Sequence, residues 1–227
     1  MNSLRSLIIT TSKGKLDNSN NKTGVWLEDL AVPYFILKDS GEYVTLASPL
    51  GGQIPLDINS QSAAAVTDST KRFFQDAQAM YHFSHSLPLN EIDTDAFDLL
   101  FLVGGYGAMW DFPDSKCLND IICNFEQDHK PIGLVGHAVA ALVSLTTKKM
   151  EPFVKGRKIT AFSNHEEVTA ALNEHPPFLL ENKLISLGAL YSKGPDFKSY
   201  VVDDNNIITG QNPASSGETA RRIIALA

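Results

Sequence analysis

The sequence predicts a three-layer α/β/α sandwich built on a mostly parallel sheet, with a β-hairpin near its end and a small cap insertion. Short runs of strand-forming residues alternate with longer helical segments along the 227 residues. Most of these runs are apolar throughout rather than alternating, as strands covered on both faces must be. The helical segments between them supply the crossovers that parallel neighbours need.

The strands expected are Leu4–Thr10, Tyr43–Ala47, Asp98–Val103, Ile132–Val135, Lys158–Phe162, Tyr200–Val202 and Ile207–Thr209. The last two read as a hairpin, because Asp203-Asp204-Asn205-Asn206 between them is rich in residues that tolerate positive φ. The first helix is expected to start at a Thr23 cap and end at Ser40, with Gly41 stopping it. Leu27, Leu30, Ala31, Tyr34 and Leu37 recur at helical spacing, and Pro33 predicts a kink. Asp68–Tyr81 reads as one amphipathic helix, and Ser115–Gln127 and His137–Thr147 read as crossovers. Shorter helices are expected over Glu166–Leu172 and Pro177–Leu187, and a last one over Pro213–Leu226. A single domain over 1–227 is expected, with residues 48–95 as an insertion or cap beside the sheet.

Composition narrows the function. Apolar residues make up 43% of the chain, enough for a sizeable core. Nineteen basic against 26 acidic residues leave a net charge of −7, which opposes binding to nucleic acid or anionic lipid. No run approaches the roughly 18–20 apolar residues of a membrane span, and the first ten residues are too short an apolar run for a signal peptide. Cys117 and Cys123 form neither a metal-type pair nor a disulfide framework, so a reducing cytoplasm is expected. His82 and His85 sit three apart without a third ligand fixed by sequence, and no metal is assigned to them. Gly104-Gly105-Tyr106-Gly107 lacks the context of a P-loop or dinucleotide fingerprint, so no cofactor is expected.

Ligands of open parallel sheets sit beyond the carboxyl ends of the strands. Three loops leave such ends: Gly104–Ala108, Gly136–Ala138 and Ser163–Glu167. The second follows a buried strand and precedes a helical run, in PIGLVGHAVAALVSL over residues 131–145. This is the pattern of a nucleophile elbow, a strained strand-to-helix corner that glycine tolerates best. Gly136 has no side chain to attack with, whereas covalent catalysis needs a thiol, hydroxyl, amine or carboxylate. Locally, the same corner also reads as an ordinary strand–glycine–helix connection.

Further motifs accompany the corner in order: Thr23–Leu30 (TGVWLEDL), Ala47–Gly52 (ASPLGG), Pro55–Asp57, Gly104–Asp111 (GGYGAMWD), Phe162–Glu167 (FSNHEE), Pro177–Glu181 and Ile208–Ser216 (ITGQNPASS). With them the chain, from near residue 5 to 225, resembles the ThiJ/PfpI superfamily, of the class I glutamine-amidotransferase-like fold. Within it, the chain is most similar to the branch of stress proteins known as glutathione-independent glyoxalases and chaperones. The resemblance implies a flavodoxin-like fold, a homodimer and, at the elbow, Cys-His-Gly where this chain has Gly136-His137-Ala138. It places the catalytic cysteine on Gly136, the histidine on His137, the early acid that lowers the thiol pKa on Glu28, and the acid that serves the histidine on or near Glu166.

On these positions Glu28, His137 and Glu166 are the candidate catalytic residues, and Gly105, Tyr106, Gly136 and Trp110 the candidate oxyanion or pocket residues. Each retains a plainer reading. Glu28 also suits any helix N-terminus, His137 also suits a structural contact with Glu166, and Tyr106 or Trp110 also suits the core. Three functions stay open. One is a catalytically impaired or inactive member that binds a small carbonyl or carboxylate metabolite. Another is an altered lyase or hydrolase, glyoxalase-like, in which His137 or Glu28 activates water. The third is a chaperone or interaction protein.

Overall fold

A computed structural model describes residues 3–16, 21–172 and 176–227. The strands are β1 (Arg5–Ile9), β2 (Tyr43–Ser48), β3 (Leu87–Pro88), β4 (Leu99–Leu102), β5 (Ile132–Val135), β6 (Lys158–Ile159), β7 (Leu190–Tyr191), β8 (Val201–Asp204) and β9 (Ile207–Gly210). The helices are α1 (Leu27–Asp39), α2 (Asp68–Gln75), α3 (Ala77–Ser84), α4 (Ala108–Asp111), α5 (Lys116–Gln127), α6 (Asn164–Thr169), α7 (Leu180–Ser186) and α8 (Ser216–Leu226). The main sheet runs β3-β2-β1-β4-β5-β9-β8 and is parallel except for β8, which returns antiparallel to β9. Asp204 pairs with Ile207, and Asn205 turns the hairpin at φ 55°, as its turn residues predict.

The alternation of side chains along each strand feeds two cores. Leu7, Ile9, Leu100, Leu102, Ile132 and Leu134 face a layer that includes α5 and α7. Ile8, Leu99, Phe101 and Val135 face a layer built on α1, α2, α3 and α8. This is the mixed α/β sandwich expected, with the site end defined by the carboxyl ends of β1, β4 and β5. Among the described residues no helix is long and apolar enough to cross a membrane.

Several elements differ from expectation for local reasons. α1 begins at Leu27 with no side-chain cap, because Val25 forms a bridge with Leu56 and Thr23 N–H bonds to the Gly14 carbonyl. It runs through Pro33 to Asp39, Ser40 is its C-cap, and Gly41 takes φ 87° just beyond. The expected Asp68–Tyr81 helix is two, since the Asp76 carboxylate accepts from Ala79 N and starts α3 anew. Residues 136–142 form a 3₁₀ turn rather than a longer α-helix, and all of them are buried. Only Lys158 and Ile159 of the fifth expected strand are extended in a ladder, and they pair with β7 outside the main sheet. Within 48–95, β3 extends the main sheet, and Phe73 and Phe83 pack into the α1 layer, while Asp57 and Asn59 reach the rim of the site.

Candidate active site

At the end of β5 the chain turns at Gly136 with φ +57°, and the nearest atom to a Cβ built there would be the Gln211 carbonyl oxygen at 4.0 Å. The backbone thus keeps the left-handed corner of an elbow and leaves room for a side chain that glycine does not supply. The corner opens on a cavity of about 340 Å³. A larger groove, of about 970 Å³, lies beside Arg5, Lys38 and Tyr43 at the opposite strand ends. The smaller cavity is the candidate site because it sits at the carboxyl ends, where sheets of this topology place their ligands.

Its polar lining comes from four segments. Asp29 comes from the first turn of α1, Asp57 and Asn59 from the loop after β2, Gly105 and Tyr106 from the loop after β4, and His137 from the elbow. The walls are Trp26, Phe162 and Phe197, together with Tyr106. Among the described lining residues there is no cysteine, serine, threonine, lysine or arginine.

His137 is buried, and its Nε2 is 2.8 Å from Glu167 Oε1. Its ring lies 4.5 Å from that of Phe162 and 5.3 Å from that of Tyr106. Tyr106 donates its hydroxyl to the Leu172 carbonyl, and burial pushes its pKa above the usual phenol range. The carboxylate that serves the histidine is therefore Glu167, one residue past the position expected. Glu166 points elsewhere. Its two oxygens accept from the Ser163 and Phe197 N–H groups and from the Gln211 and Asn212 side-chain amides, so it ties together three segments under the site.

The early acid also shifts by one residue. Glu28 is half-exposed and borders surface hollows with Ala214 outside the cavity. Asp29 is 2% exposed and lines the cavity, with Oδ1 accepting from Ser216 Oγ at 2.7 Å. A Cβ on Gly104 would fall 2.3 Å from Asp29 Oδ2 and 2.8 Å from the Val135 carbonyl oxygen, which puts this carboxyl beside the elbow peptide. Trp110, expected in the pocket, stands behind Tyr106 in an edge contact at 5.0 Å and does not line the cavity. Cys117 is exposed and Cys123 half-buried on α5, and neither lines the cavity. His165 is on the surface and pairs with Asp196. Among the described residues no group of three or more His, Cys, Asp or Glu is arranged to hold a metal.

Glycine at 105 serves close approach. Its φ is +128°, and a Cβ there would meet the Gly24 carbonyl oxygen at 2.5 Å and Trp26 N at 2.6 Å. Gly105→Ala is expected to cost about 3 kcal/mol or more, since backbone must move on both sides. Thermal denaturation checks this, and an unchanged midpoint would contradict the close approach.

Burial pushes the Asp29 pKa up to about 7, with the Ser216 hydrogen bond opposing, the Glu28 charge reinforcing and His137 opposing the rise. Below about pH 4 the carboxyl is protonated in both folded and unfolded chains. Between about pH 4 and 7 the unfolded chain loses this proton while the folded one keeps it, so stability falls across the window and stays reduced above it. Asp29→Asn keeps the acceptor for Ser216 and cannot ionise. Relative to the native chain it is expected to gain stability as pH rises through this window, by up to roughly 4 kcal/mol. Urea unfolding near pH 5 and near pH 8 reads the difference. An equal loss with pH in both proteins would show that Asp29 does not carry it.

A left-handed glycine elbow, a buried histidine–carboxylate pair and a second buried acid at the carboxyl ends of a parallel sheet define the class: an α/β protein with the backbone of a nucleophile elbow and glycine at its corner. The chain belongs to the DJ-1/PfpI family, whose model matches residues 23–226. It is similar to Glyoxalase 3 of Candida albicans, with 26% identity over 96% of each chain. The glutathione-independent glyoxalase HSP31 of Saccharomyces cerevisiae is also 26% identical, over 96% of this chain and 95% of its own length. Among solved structures, the Rapid Encystment Protein 24 KDa of Francisella tularensis superposes with a TM-score of 0.93 at 33% identity, covering 98% of both chains. Glyoxalase III of Candida albicans superposes at 0.88 with 25% identity, over 98% of this chain and 97% of its own.

Proposed function

We propose that this protein binds a small metabolite in the elbow cavity and has lost the thiol chemistry that the elbow serves in proteins with a cysteine there. The main support is Gly136, which keeps the corner's backbone and leaves open space where the reactive side chain would stand. Among the described residues the lining supplies no cysteine, serine, threonine or lysine to replace it. Of the two ligand classes expected from the sequence, a small carbonyl compound suits this lining. A carboxylate suits it less, because Asp29 and Asp57 face it with no lysine or arginine among the described lining residues. Purified protein is expected to convert methylglyoxal to lactate no faster than buffer. Robust turnover that disappears in His137→Ala would overturn this reading.

A second reading has its own support in Asp29. A cavity carboxyl with a pKa of about 7 suits proton transfer at neutral pH, so an altered lyase or hydrolase would use Asp29 or His137 to activate water. Backbone N–H groups of Gly105 and His137 would then steady the developing oxyanion. A panel of dicarbonyls, esters and small amides separates the readings. Turnover lost in both Asp29→Asn and His137→Ala favours the enzyme, and uncatalysed rates throughout favour the binding protein.

A further inference from the structure

The cavity's electrostatics and walls together specify a ligand more narrowly than its size does. Asp29 and Asp57 are 2% and 7% exposed, yet both line the cavity. Asp57 commits Oδ1 to the Asn59 N–H, and Asp29 commits Oδ1 to Ser216. Asp29 Oδ2 lies against Gly104 at the elbow. His137 Nε2 is held by Glu167 Oε1 at 2.8 Å, so the nearest imidazole is already paired with another carboxyl.

Around these acids stand four aromatic rings, Trp26, Tyr106, Phe162 and Phe197. Phe162 and Phe197 meet edge to face with centroids 6.2 Å apart, which sets two differently tilted ring planes at one wall. Aromatic faces attract cations and repel anions, and the attraction grows when water is excluded. Two buried carboxyls that face no lysine or arginine among the described lining residues add to the same preference, because a bound cation favours their ionised form.

We infer that the cavity recognises an organic cation, an alkylammonium group carried on a small apolar body, held between the aromatic walls with its charge toward Asp29 and Asp57. This rests on the reading of the cavity as a ligand site and narrows the small carbonyl ligand to one that also bears an ammonium group. Among the described lining residues there is no lysine or arginine, and the cation supplies that charge. About 340 Å³ accommodates a quaternary ammonium with a short chain, and the enclosing rings replace part of the hydration that such a group gives up.

The test uses the native chain and three probes of similar size: choline, the neutral analogue with carbon in place of the quaternary nitrogen, and pivalate. Isothermal titration is expected to show choline binding about tenfold or more tightly than its neutral analogue, and pivalate more weakly than either. Asp57→Asn and Trp26→Leu are each expected to reduce the preference for choline over the neutral analogue severalfold, with circular dichroism confirming the fold. Equal binding of choline and the neutral analogue would overturn the inference while leaving the cavity a ligand site. So would tighter binding of pivalate, or no binding by any of the three. Methylglyoxal turnover by the native chain would instead overturn the loss of thiol-type chemistry and leave the charge preference standing.

Discussion

Gly136→Cys is expected to create a reactive thiol and to raise glyoxalase-type turnover at least ~10²-fold over the native chain. The backbone is already at φ +57°, and the nearest atom to the new Cβ would be 4.0 Å away, so the side chain enters open space. The cost is an L-residue in the left-handed region, about 1–2 kcal/mol. His137 with Glu167 stands beside the corner as a proton acceptor, and Asp29, with its pKa near 7, can donate a hydrogen bond to a thiolate. Adding Asp29→Ala to the cysteine variant is therefore expected to lose roughly tenfold or more of the gain, whereas adding Glu28→Ala changes little, since Glu28 lies outside the cavity. Lactate release from methylglyoxal reads all three. A folded G136C that stays inert would mean that Ala138 or other changes have remodelled the site.

Glu166→Ala is expected to have the largest effect on stability of any change near the site. Glu166 is fully buried and accepts from Ser163 N at 3.0 Å, Phe197 N at 2.8 Å, Gln211 Nε2 at 3.0 Å and Asn212 Nδ2 at 2.8 Å. Removing the carboxyl leaves these donors buried without an acceptor. Losses of about 3–5 kcal/mol are usual when one partner of a buried charged network is removed. In a chain of this size that lowers the melting temperature by roughly 6–20 °C. Glu166→Gln keeps the acceptor on one side only and should fall between. Differential scanning calorimetry decides this, and a melting point within 2 °C of native, itself within about 1 kcal/mol, would show that the network does not hold the loop. Glu167→Gln serves as the contrast: it faces one histidine and should alter the behaviour of His137 more than it lowers the melting point.

The sheet was legible because its central strands are covered on both faces, which forces continuous apolar runs such as Leu99–Leu102 and Ile132–Val135. β3 and β7 carry two ladder residues each, too few for any periodicity to register. The break in the helix expected over Asp68–Tyr81 rests on Asp76, an aspartate in a polar stretch that sequence cannot distinguish from a surface residue. At the site, the elbow was legible because glycine suits its left-handed backbone best. The acids were each displaced by one residue. Asp29, Pro33 and Leu37 form the buried stripe of α1, and Glu28, Val32 and Ile36 the half-exposed one. Both stripes carry apolar residues, so spacing alone does not say which acid turns inward. Glu166 and Glu167 are adjacent on one helical turn, and only the packing of Phe197 and Asn212 against the first reveals that the second faces His137. Phe197, Asp57 and Trp26 reach the cavity from distant loops, where sequence offers no period to read.

Peptide-resolved mass spectrometry after exposure to iodoacetamide, and separately to methylglyoxal with hydride trapping, tests the absence of a covalent site most directly. Alkylation is expected on exposed Cys117, with half-buried Cys123 slower because burial raises its thiol pKa. No adduct is expected on Asp29, Asp57, Tyr106 or His137, and the same treatment of G136C should label the new thiol. A stoichiometric adduct on one of those four cavity residues of the native chain would contradict the account.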